Sequence, residues 1–190
     1  MSSDRQPDPV SDHGRRRWLL ATAAIALVIL VAAFLLTSDE IAPSGKPPET
    51  STFVNQAGRY SIRYPVGWTA TALGSAAKLT PPRKDVVIGV APAPRGTLDD
   101  SARRVTREVL RSYEGVKVLN RTKGSIAGRD SILYVGRGRN LARTRIQWMT
   151  ITLRDEGRNF AVSVFTQSET DPREVLPLLQ TVVGSLEARD

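Results

Sequence analysis

The chain contains no cysteine, and its single histidine, His13, sits near the N-terminus. The first absence excludes disulfides, thiolate metal ligands, a thiol nucleophile and anchoring through a lipid-modified cysteine. The second denies everything after residue 13 an imidazole, so a Ser-His-Asp arrangement or a histidine-ligated metal has no place there. No stretch of glycines completes the six-residue dinucleotide pattern, and no repeat unit recurs along the chain. No cofactor is expected.

Charge is also missing from one long stretch. Trp18–Leu36 runs 19 residues without Asp, Glu, Lys or Arg. As a helix rising ~1.5 Å per residue it extends roughly 28 Å, close to the ~30 Å hydrocarbon thickness of a bilayer. Arg15, Arg16 and Arg17 precede it, whereas Asp39 and Glu40 follow, the asymmetry that keeps an N-terminus in the cytoplasm. A cleaved signal usually has an apolar core of ~7–15 residues ending in small residues; Phe34-Leu35-Leu36 closes this longer one with bulky residues, which favours an uncleaved anchor. Residues 1–17 therefore read as a disordered cytoplasmic tail, 18–36 as a transmembrane helix and 37–51 (TSDEIAPSGKPPETS) as a Pro/Ser/Thr linker. Residues 52–190 read as one extracytoplasmic globular domain. The expected localisation is the cell membrane, single-pass, with the N-terminus inside.

The globular part carries an excess of positive charge, with 22 basic against 13 acidic residues from Ser51 to Asp190, a net +9. Such a surface attracts anionic partners through its long-range field, less so as salt rises. In Tyr60–Tyr64 apolar and polar residues alternate as in a strand with one buried face. Trp68–Leu73 and Ala77–Thr80 read as short strands, and Val86–Val90 as a central strand covered on both sides. Leu98, Ala102, Val105, Val109, Leu110 and Tyr113 recur at helical spacing, with Thr97 and Asp100 as a capping box and Gly115 as the stop. Four strands follow, at Val116–Leu119, Ser131–Gly136, Thr144–Leu153 and Asn159–Thr166, with lengths that suit an antiparallel meander. A second helix closes the chain: Asp171 is its N-cap, Pro172 its first residue and Glu174 the capping-box partner. Its apolar stripe is Val175, Leu178, Leu179, Val182, Val183 and Leu186, with Pro177 and Gly184 set to kink or shorten it. The fold class is α+β.

The stretch Gly58-Arg59-Tyr60-Ser61-Ile62-Arg63-Tyr64-Pro65-Val66-Gly67-Trp68 resembles the opening of the PsbP-like superfamily, whose pattern is aromatic-x-Ile-x-Tyr-Pro-x-Gly-Trp. That group includes the extrinsic protein of the oxygen-evolving complex and actinobacterial envelope proteins of the LpqN kind. The resemblance implies an antiparallel β-sheet flanked by helices, an α/β/α sandwich, and a binding or accessory role. It carries over no catalytic residue. The missing lipid-attachment cysteine departs from the lipoprotein members, and any such relative would be anchored differently.

Four motifs carry possible chemistry. Ser75-Ala76-Ala77-Lys78 has the Ser-x-x-Lys spacing of penicillin-recognising enzymes, but lacks the Lys-Thr-Gly and Ser-Asp-Asn companions and lies between strands. Asp99/Asp100 and Asp155/Glu156 could serve acid–base chemistry, although a helix start and a turn before Gly157 explain them structurally. Gly136-Arg137-Gly138-Arg139, followed by Arg143 and Arg145, is the densest positive cluster. Guanidinium forks suit phosphate and carboxylate, and the glycines would let backbone approach a phosphate. Arg137, Arg139, Arg143 and Arg145 are thus the candidate anion- or partner-binding residues, with no catalytic or metal site assigned. The expected activity is non-enzymatic engagement of an envelope protein or an anionic lipid or wall polymer, and not nucleic acid. The alternative is a carboxylate-based hydrolase or transferase of the envelope.

Overall fold

The structure, a computed structural model, describes residues 49–82, 85–167, 170 and 172–189. The predicted tail, the membrane span Trp18–Leu36 and the helix cap Asp171 lie outside them. Among the described residues no helix is long and apolar enough to cross a membrane.

Among the described residues ten strands and two helices follow in the order β1 (Thr50–Asn55), β2 (Tyr60–Pro65), β3 (Thr69–Leu73), β4 (Ala76–Thr80), β5 (Val86–Pro92), α1 (Leu98–Ser112), β6 (Glu114–Ile126), β7 (Arg129–Arg139), β8 (Arg145–Asp155), β9 (Arg158–Gln167), α2 (Pro172–Gly184) and β10 (Glu187–Ala188). A seven-stranded sheet has the order β3-β4-β5-β9-β8-β7-β6, and a small sheet has the order β1-β2-β10; the pairs are antiparallel. Helix α1 carries the chain from β5 across to the far edge strand β6, and the meander β6–β9 returns to pair with β5.

The two-residue period of the strands splits the core in two. On one face of the large sheet Ile88, Val90, Leu133, Val135, Ile151 and Val162 pack with Tyr60 and Ile62 of the small sheet and with Val175, Leu179 and Val182 of α2. On the other face Ile132, Tyr134 and Trp148 meet Ala102 and Val109 of α1. The expected antiparallel sheet flanked by helices is therefore what the residues build. Trp148, Tyr134 and Phe160 are core residues, as their strand positions required.

Thr97 caps α1 as expected, its Oγ1 accepting from the Asp100 amide at 3.1 Å. Gly115 is not the stop. Tyr113 turns extended and β6 begins at Glu114, so Gly115, at φ +56, falls where the β6 ladder shifts register. Strand β5 is covered on one face only; on the other, Gly89 and Ala91 line an open groove beside α1. Strand β1 begins at Thr50, inside the segment read as linker, because Thr50 and Ser51 already pair with Pro65 and Tyr64.

Candidate functional site

The four arginines singled out by composition come together at one hairpin. Strand β7 ends at Arg139 and β8 begins at Arg145, directly opposite it, while Arg137 lies opposite Gln147. Cross-strand partners share a face, so Arg137, Arg139 and Arg145 project on the same side, that of Leu133 and Val135. Asn140 closes the loop between them: its carbonyl accepts from the Arg143 amide at 2.8 Å and its Oδ1 from the Thr144 amide at 2.9 Å. Arg143 takes a left-handed φ of 59° at the bend. Lys117 of β6, opposite Arg137, adds a fifth cation that sequence reasoning missed. The bulge between Glu114 and Lys117 sets that register, and nothing in the pattern of β6 announces it.

All four arginines are exposed, and none makes a side-chain hydrogen bond or ion pair among the described residues. Glu114, opposite Arg139, forms no ion pair with it. Other arginines are spent on structure. Arg129 donates to the carbonyls of Leu186 and Val183, Arg154 to Asn159 and Gly96, and Arg158 to Gly58, Arg59 and Arg189.

The glycines of the cluster do not open the backbone to a phosphate. Gly136 and Gly138 face α1 rather than the arginine side, and Gly136 is buried. A Cβ on Gly136 would overlap the Trp148 indole, and one on Gly138 would stand 3.0 Å from Val116 Cγ2. Their smallness makes room for the side chains packed against them.

The other motifs resolve into scaffold. Ser75 sits in the β3–β4 turn and Lys78 on β4, both exposed. Asp99 is ion-paired with Arg121 and Lys123 of β6, and the Lys123 ammonium, first among its neighbours, holds its carboxyl below the usual aspartate range. Asp155 accepts from the Ala188 amide at 2.8 Å and lies 3.7 Å from Arg129, while Glu156 and Gly157 form the left-handed β8–β9 turn. A cavity of about 350 Å³ runs between α1 and the floor Gly89, Ala91, Ala161 and Ser163, with Glu108 its one carboxylate among the described residues. Another, of about 270 Å³, lies between Trp68, Pro82, Val175 and Leu178, with Asp85 its one carboxylate among the described residues. Among the described residues no three His, Cys, Asp or Glu side chains gather as a metal site.

No protein-family model matches the chain, and no curated protein matches it in sequence. Among solved structures it is similar to a protein of Bacteroides thetaiotaomicron VPI-5482, at 14% identity and a TM-score of 0.54, over 76% of this chain and 50% of that one. The chain thus spans half the length of that protein, and the likeness is one of fold. It is also similar to the cyanobacterial PsbP, CyanoP, of Synechocystis sp. PCC 6803, at 13% identity and a TM-score of 0.48, over 78% of this chain and 97% of that one. A third similar structure is LpqN of Mycobacterium tuberculosis, involved in cell envelope biogenesis, at 9% identity and a TM-score of 0.48, over 77% of this chain and 88% of that one.

Proposed function

We propose that this protein is a membrane-tethered, non-enzymatic binding domain that stands outside the cytoplasm and engages a protein partner or an anionic envelope component through Arg137, Arg139, Arg143 and Arg145. The observation that carries the reading is the placement of those arginines: exposed, without side-chain partners among the described residues, and gathered by one hairpin register. Arg139 and Arg145 oppose each other across the ladder, a like-charge juxtaposition that destabilises a strand pair unless an anion lies between. The tether rests on the uncharged run Trp18–Leu36 and the charges on either side of it. Against the hydrolase alternative stand the carboxylates themselves. Asp99 and Asp155 are committed to ion pairs, and among the described residues the α1 groove and the Trp68 cavity each hold a single carboxylate, short of the two that such chemistry uses.

The test is affinity capture of the full-length protein from its own membranes after mild crosslinking, at low and high salt, beside a variant with all four arginines changed to Gln. Recovery of an anionic component that salt and the Gln variant both abolish supports the reading. So does a protein partner lost with the arginines. Equal recovery by both forms would show that the hairpin is not the site.

A further inference from the structure

The place where the tether joins the fold bears on what the hairpin meets. Thr50, the first residue of β1, pairs with Pro65 at the end of β2. Four residues later the chain starts β3 at Thr69, opposite Thr80. Val86 then pairs with Thr166, Thr166 with Gln147, and Gln147 with Arg137, all in one row at one end of the large sheet. The opposite end is fixed independently. There Asn55 binds the Gly74 and Ala76 carbonyls, and Arg158 binds those of Gly58 and Arg59, so the β1–β2, β3–β4 and β8–β9 turns cluster together. The chain therefore enters the domain at the end that carries the arginine hairpin.

The tip of that hairpin is apolar. Leu141 is 88% exposed, the most exposed large hydrophobic residue among the described residues, and lies between Arg139 and Arg143. Val66, 57% exposed, occupies the turn beside Thr50 at the same end. Residues 37–49, whose Pro/Ser/Thr-rich composition is that of a linker, separate the uncharged run from β1. A leucine flanked in the hairpin tip by Arg139 and Arg143, at the end of the sheet where the chain enters, has the make-up of an interfacial contact. The apolar tip enters the headgroup boundary while the guanidinium groups meet phosphates.

We infer that the β7–β8 hairpin docks on the membrane that anchors the chain, Leu141 inserting among the headgroups of anionic phospholipid and Arg137, Arg139, Arg143 and Arg145 binding their phosphates. This rests on the tethered, arginine-presenting reading above and names the lipid as the occupant.

The natural chain has no cysteine, so single probes can be placed without background. The full-length protein is put into nanodiscs of phosphatidylcholine alone or mixed with phosphatidylglycerol. An environment-sensitive fluorophore is attached at Leu141→Cys, or at Leu73→Cys, the last residue of β3 at the opposite end, where exposure is 59%. The expected result is a blue-shifted 141 probe, quenched by headgroup-labelled lipid in the anionic discs only and released by salt, with an unchanged 73 probe. Each Arg→Gln change should lower the docked-to-free ratio roughly fivefold. A 141 probe as wet as the 73 probe in anionic discs, or equally quenched in neutral ones, overturns lipid docking. If the probe is silent while the quadruple Gln variant still loses a captured protein or wall polymer, the lipid falls and the tethered-binder reading stands. If both experiments are silent, both fall.

Discussion

Tyr60 is fully buried, its hydroxyl donating to the Val90 carbonyl at 2.9 Å and its ring set edge-on to Phe160. Burial pushes its ionisation up to about 12, with the Asn55 amide pulling the other way. A raised folded-state value means the folded form keeps a proton that the unfolded form gives up near pH 10, so stability is full below that point. It falls as pH rises from about 10 to about 12. Tyr60→Phe should flatten that part of the profile in a comparison of denaturation midpoints. Gly136 makes a steric prediction. Its alanine would meet the Trp148 indole and the Lys117 carbonyl, the latter at 2.5 Å, and should cost about 3 kcal/mol in chemical denaturation. At this scale the sequence showed which aromatic residues are core, because strand alternation marks them. It misassigned Gly136 and Gly138, because a glycine that yields space to a side chain across the ladder is spelled like one that yields to a ligand.

Arg129 joins two elements. From the start of β7 its guanidinium reaches the Val183 carbonyl at 2.6 Å and those of Leu186 and Gly184, capping the C-terminus of α2, and it faces Asp155. Arg129→Met should cost about 2 kcal/mol and speed amide hydrogen exchange in the last turn of α2 and in β10, leaving α1 unchanged. The arginine hairpin predicts the opposite sign. Because Arg139 and Arg145 repel across the ladder, Arg145→Gln should raise stability by about 0.5 kcal/mol in thermal denaturation while weakening capture of an anion. Most elements could be read from the chain, since period two, period 3.6, the Thr97 cap and Gly-containing turns are local signals. Strand β1 and the ends of β6 could not. Thr50 and Ser51 become strand only through pairing with β2, and β6 runs to 13 residues because β7 offers it a long edge.

For the whole molecule, two cores lie on either side of one antiparallel sheet, and the end where the chain enters carries the arginine hairpin. The layered class was readable because two amphipathic helices and a meander admit few arrangements. The placement of Thr50 and the hairpin at one end was not, since it depends on which strand ends the sheet brings level. The account requires the domain and the cytoplasmic tail to lie on opposite sides of the membrane. In intact cells, a membrane-impermeant maleimide applied to Leu141→Cys or Ser3→Cys of the otherwise cysteine-free chain tests this most directly. The account predicts labelling at 141 in intact cells and at 3 only after lysis. Labelling at 3 but not at 141 before lysis would place the arginine hairpin on the wrong side and contradict it.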